Sequence, residues 1–105
     1  MNTLALSVDD MQAAAGEACR LLKVLSNPDR LLILCRLAEG EMSVGQLEES
    51  LGIRQPTLSQ QLTVLREEAL VATRREGKHI HYRIDSPQAL AVMQVLHQQF
   101  CLKEA

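Results

Sequence analysis

The stretch RQPTLSQQLTVLRE, Arg54 to Glu67, decides the fold. Leu58, Leu62 and Leu65 recur at i, i+4 and i+7, one face of a helix. The opposite face begins with Gln55, Thr57, Ser59, Gln60, Gln61 and Thr63. Solvated helix faces ordinarily carry Glu and Lys, the strong helix formers. Amides and hydroxyls instead both donate and accept, which is what the edges of DNA bases require. Gln suits adenine, and Ser or Thr suit several bases. A recognition helix makes those contacts from its N-terminal residues, where Gln55, Thr57, Ser59, Gln60 and Gln61 lie.

The neighbouring residues extend this pattern. Upstream, Ser43 with Gln46 forms a capping-box pattern and Leu47 and Leu51 point inward, so a short helix is expected. Gly52 breaks it, Ile53 anchors the turn, and Pro56 opens the next helix. Two short helices around a tight Gly-containing turn form a helix-turn-helix. Downstream, the period changes from 3.6 to 2. Ile80, Tyr82 and Ile84 alternate with His79, His81 and Arg83, and Gly77 sits in a turn. That pattern is a β-hairpin with a packed side and a basic side, a wing behind the helix-turn-helix. Arg74, Arg75, Lys78 and His79 on the wing are candidate phosphate or minor-groove contacts, and Arg54, just before the helix, is another phosphate candidate. An ordinary solvated β-edge also carries cations, which discourage edge pairing.

Toward the N-terminus, Asp9 or Asp10 is expected to cap a helix over about 9–25, with Met11, Ala14, Ala15, Ala18, Leu22 and Leu25 at helical spacing. Asn27 and Pro28 start a second helix, with Leu31, Leu34, Cys35 and Ala38 on one face and Gly40 after its end. At the other end, Ser86 and Pro87 start a last helix whose apolar arc, Ala89, Val92, Met93, Leu96 and Phe100, is widened by Leu90 and Val95. So wide an arc needs burial on more than one side.

The chain of 105 residues allows one domain, 1–105, with about 1–8 as a flexible N-terminus. It is 47% apolar, with one Phe, one Tyr and no Trp. A thin aliphatic core with surplus apolar surface suggests a second copy. The fold expected is mainly α with a small β-hairpin, a winged helix-turn-helix in the order ααααββα. It would pair as a homodimer through its first and last helices. The net charge is −2, but Arg54 to Arg83 carries six Arg/Lys against three Glu, or +3, leaving −5 for the remainder. Such a basic segment on an acidic body suits an anion. No apolar run approaches a membrane span, and MNTLALSVDDM lacks the basic start and cleavage site of a secretory signal. A cytoplasmic protein is expected, in which three cysteines form no structural disulfide framework. No phosphate-binding glycine loop or catalytic Cys–His motif is present, so no enzyme and no cofactor are expected.

The runs LLKVLSNPDRLLILCRLAEGE, VGQLEESLGIRQPTLSQQLTVLREEALV and GKHIHYRI together resemble the ArsR/SmtB family of winged-helix repressors over about Ala14 to Cys101. The resemblance implies a homodimer that binds double-stranded operator DNA and releases it to an inducer. Metal sensors of the family often carry Cys-Val-Cys at the start of the third helix, where Ser43 and Gly45 stand here. Others use Asp and His on the last helix with a further His and an acid, and His97 stands without those partners. No metal is therefore expected at either family site.

Cys35 in LLILCRLAEGE and Cys101 in HQQFC resemble the sulfide- and redox-responsive branch of the family. That branch implies that Cys35 and Cys101 are oxidised by reactive sulfur species or oxidants to a disulfide or polysulfide bridge, with loss of DNA affinity. Because half-sites lie about one DNA turn apart, a small change in the spacing of two recognition helices would weaken binding. Taken without the resemblance, Cys35 also reads as a small core hydrophobe and Cys101 as an inert tail residue. Cys19 has no assigned counterpart and reads as a packing residue. Two alternatives stay open: a repressor sensing a thiophilic ion such as arsenite through its cysteines, and a winged-helix protein-interaction module.

Overall fold

The computed structural model describes residues 7–101, and the expectation for residues 1–6 lies outside them. Five helices and three strands follow in the order α1 Val8–Leu25, α2 Pro28–Leu37, β1 Met42–Ser43, α3 Val44–Leu51, α4 Gln55–Glu67, β2 Val71–Glu76, β3 His79–Ile84 and α5 Pro87–Leu96. A π-helical turn, His97–Cys101, continues α5. The mainly α winged helix-turn-helix is therefore present, with one strand more than expected.

Capping explains most boundaries. The first helix starts at Ser7, whose hydroxyl accepts from the backbone N–H of Asp10 at 3.0 Å. Asp9 and Asp10 lie inside the first turn and complement its positive end instead of capping it. Ser7 is thus the N-cap and Val8 the first helical residue. At α2, Asn27 caps Arg30 N–H at 3.0 Å with Pro28 behind it. Ser43 and Gln46 close both halves of the capping box at α3. Gly52, at φ +71°, ends α3 in the left-handed conformation and donates its N–H to the Glu48 carbonyl. Ala69 takes a positive φ of 61° at the end of α4, a position where glycine would be unstrained.

The core is aliphatic. Ile33, Leu34, Leu47, Leu58, Leu62 and Leu65 are essentially inaccessible, and Tyr82 adds a single aromatic ring to the buried set among the described residues. The expected stripe of α4 is buried along its length. On α2 the deepest residues are Ile33, Leu34 and Leu37, while Leu31, Cys35 and Ala38 are half-buried. The deepest residues face α1, α3, α4 and β3, whereas Leu31 and Cys35 line a cavity between α2 and the end of α5.

The sheet runs β1–β3–β2, all antiparallel. The two-residue β1 pairs Met42 with Tyr82 and Ser43 with His81, so it ties the start of α3 to the wing. A strand this short has no alternation to read. The hairpin pairs Val71 with Ile84 through Glu76 with His79. Gly77 takes a φ of +65° in its two-residue loop.

Most of α1 stands clear of the core. Only Val24 and Leu25 are buried, while Val8, Met11 and Leu22 are 67, 54 and 56% exposed. Met11, Ala14, Ala15, Ala18 and Leu22 thus form an uncovered apolar stripe.

Candidate nucleic-acid interface and sulfur site

Pro56 in the first turn of α4 and the buried Leu58, Leu62 and Leu65 fix which way its polar face looks. Gln55, Thr57, Ser59 and Gln60 are exposed. Ser59 donates to Gln55 Oε1 at 3.1 Å, and Thr63 donates to the Ser59 carbonyl at 2.9 Å. Arg54 holds the N-cap position without a side-chain cap. The unpaired N–H groups of this helix start are therefore open to an anion, with a guanidinium beside them.

Gln61 is turned elsewhere. Its Oε1 accepts from Arg30 at 2.9 Å, and the same guanidinium donates to the Val24 carbonyl at 2.7 Å. Arg30 thereby clamps α4, α2 and the end of α1 together. Gln61 is half-buried in that clamp and does not stand with the exposed amides.

The wing cations also divide. Cross-strand pairing puts Arg75 with Ile80 and Arg74 with His81, so the two arginines lie on opposite faces of the hairpin. Arg74 donates to Glu41 at 2.6 Å and to Glu76 at 3.4 Å. Its hydrogen bonds and charge hold the Glu41 carboxyl below the usual carboxylate range. His81 Nε2 also lies 3.4 Å from Glu76. Among the described residues, no ion pair holds Arg54, Arg75 or Lys78. Arg66 and Arg83 are likewise exposed and outside these ion pairs, and His79 is exposed on the wing.

The sulfur residues come together from distant parts of the chain. Cys35 on α2 meets His97 and Cys101 on the π-helical turn, and the two Sγ atoms and a ring nitrogen all lie within 4.8 Å of one another. The wider turn sets His97 and Cys101 on one side, facing α2; such turns are frequent at functional sites. Desolvation by burial pushes the Cys35 thiol up, and the charge and hydrogen bond of Cys101 add to this. A cavity of about 530 Å³ opens beside the cluster, lined by Leu31, Leu32, Met93, Leu96 and Phe100 among others. Cys35 and Cys101 are free thiols, and Cys101 is exposed. Cys19 lies exposed on α1, outside the cluster. His97 does have partners, therefore, but they are thiols and not the acids and histidines of a family metal site. Its i, i+4 spacing to Cys101 is the signal the sequence holds for this. Ser43, where a sensor's first thiol would stand, is buried and committed to capping α3.

A helix-turn-helix backed by a three-stranded wing, with a polar N-terminal face on the second helix, defines a winged-helix DNA-binding regulator. Residues 27–73 match the model of the bacterial regulatory protein, arsR family. A biofilm growth-associated repressor of Xylella fastidiosa (strain Temecula1 / ATCC 700964) is 51% identical over 91% of this chain and 84% of its own length. The crystal structure of the transcriptional repressor BigR from Xylella fastidiosa superposes with a TM-score of 0.84 at 49% identity, over 93% of this chain and all of that one. Reduced HlyU from Vibrio cholerae N16961 superposes with a TM-score of 0.86 at 38% identity, over 90% of this chain and 99% of its own. The chain belongs to the ArsR family of transcriptional regulators. Among the described residues no helix is long and apolar enough to cross a membrane.

Proposed function

We propose that this regulator is a repressor whose operator binding is switched off by a bond between Cys35 and Cys101. The observation that carries the reading is the meeting of the two thiols within 4.8 Å. A direct disulfide needs an S–S distance of about 2.05 Å, reached by a modest closure, and each inserted sulfur adds a further bond of about 2 Å to the reach.

The chemistry balances with a persulfide as oxidant. The Cys101 thiol takes the outer sulfur of RSSH, becoming Cys101–SSH and releasing RSH. Cys35 then attacks the sulfur bound to Cys101, forming the disulfide and releasing hydrogen sulfide. Cys101 meets the oxidant first because it is exposed, while burial disfavours the thiolate of Cys35.

In this reading Gln55, Thr57, Ser59 and Gln60 meet base edges, and Arg54, Arg75, Lys78 and His79 meet phosphates. Gln61 acts through Arg30 as a positioning residue, and Arg74 orders the wing through Glu41. A homodimer through α1 and α5 presents two such units to double-stranded operator DNA. It is supported by the uncovered Val8, Met11 and Leu22 on α1 and by Val95 and Phe100, 54 and 70% exposed, near the other end. Closing the bond draws α2 toward α5, and α2 carries the Arg30 clamp on α4.

Repression is favoured over activation by the relative at 51% identity. The relative described in a reduced form favours a redox input. The test is anaerobic persulfide treatment of the reduced protein, with mass spectrometry and anisotropy on a duplex selected from a random pool. Loss of two hydrogens, or gain of whole sulfur atoms with loss of two hydrogens, must accompany loss of binding. Release without any bridge between Cys35 and Cys101 refutes the reading.

A further inference from the structure

We infer that Cys35, His97 and Cys101 form a binding site for a thiophilic d10 cation, Zn2+ foremost. Two thiolates and one imidazole from two elements are a Cys2His set, three protein ligands with a fourth position open to water. Ligands held at about 2.0–2.3 Å in a tetrahedral site sit about 3.5–3.8 Å apart. The three donor atoms here lie within 4.8 Å of one another before any ion enters. Side-chain adjustment of about 1 Å closes that gap, a smaller movement than a direct disulfide demands.

The chemistry of the surroundings agrees. On binding, the two thiol protons pass to solvent, so two thiolates offset the charge of the cation. A site neutral overall is the kind that an apolar wall of Leu31, Met93 and Leu96 tolerates. Exposed Cys101 supplies the entry path. Arsenite fits less well, because it favours sulfur ligands and the remaining thiol, Cys19, lies outside the cluster.

A sulfur lone pair engaged by the cation is not free to attack a persulfide. Occupancy therefore guards the two thiols against bridging. The site itself stands whether or not they oxidise, and only this guarding consequence rests on the function proposed above.

The site is tested on the reduced full-length protein under anaerobic conditions. Co2+ titration is expected to give tetrahedral and thiolate charge-transfer absorption saturating at one ion per protomer, displaced by Zn2+. His97→Gln, on a half-exposed turn, is expected to weaken Zn2+ binding by at least about tenfold, since even outer-shell losses cost 10–100-fold. The same variant must still bridge its thiols with persulfide, because bridging uses sulfur alone. Cys101→Ser, on an exposed residue, is expected to lose both. Substoichiometric Co2+ binding, or wild-type Zn2+ affinity in His97→Gln, overturns the site. Bridging of the Zn2+-loaded protein at the rate of the metal-free protein overturns the guarding consequence and leaves the site standing.

Discussion

Helix α4 and the wing draw every group they present from one run, Arg54 to Arg83, whereas the sulfur cluster joins Cys35 on α2 to His97 and Cys101 at the far end of α5. The first region is exposed and polar, and it rests on a stripe of buried leucines. The second is half-enclosed against an apolar cavity. One helix serves both: α2 reaches α4 through Arg30 and reaches the sulfur cluster through Cys35. A surface that reads a ligand can be assembled locally, but a switch must join elements that the reading surface does not itself contain.

The comparison breaks most completely at the thiols. Cys35→Ser and Cys101→Ser are each expected to abolish persulfide-driven release while reduced-state DNA affinity stays within about twofold of wild type. Paired anisotropy titrations before and after persulfide check this. A variant that still releases DNA would separate the switch from the cluster.

Next in size is Leu62→Ala, under the reading face. Removing this buried side chain is expected to cost about 2–5 kcal/mol of unfolding free energy, measured by urea denaturation. The thiols of the remaining folded fraction should still bridge.

Two adjacent glutamines sharpen the comparison further. Gln60→Ala is expected to relax preference at particular bases by about 1–3 kcal/mol per base pair, read from affinities for a panel of single-base operator variants. Gln61→Ala removes the acceptor for Arg30, and about 1 kcal/mol of stability should go with it, while base preference stays unchanged. An equal loss of specificity in both would place Gln61 on the DNA.

The smallest effect belongs to the wing. Arg75→Ala is expected to weaken all duplexes alike and to lower the slope of log affinity against log salt by about 1. A larger sequence-dependent loss would make Arg75 a base reader.

Legibility in the sequence follows the same division. The helix-turn-helix is readable because each signal is local: the leucine spacing of α4, the Ser43–Gln46 box and the glycine at position 52. The start of α1 misleads because Asp9 and Asp10 are good caps, yet Ser7 stands three residues before Asp10 and takes that place. β1 cannot be read, since two residues show no period. The wing's two arginines look alike in sequence. Strand alternation already turns them to opposite faces, but only the fold shows which of them Glu41 engages. Gln61 and Gln60 are likewise alike until Arg30 is placed. The pairing of Cys35 with Cys101 comes from family resemblance. His97 has a local signal in Cys101 four residues on, but its other sulfur partner, Cys35 on α2, is far away in sequence.

The most direct measurement follows operator affinity and protein mass together, on one preparation, before and after anaerobic persulfide. The expected result is that the fraction carrying a Cys35–Cys101 bridge equals the fraction that has lost operator binding, at every point of the time course. Fully bridged protein that binds operator as tightly as the reduced form would contradict the account.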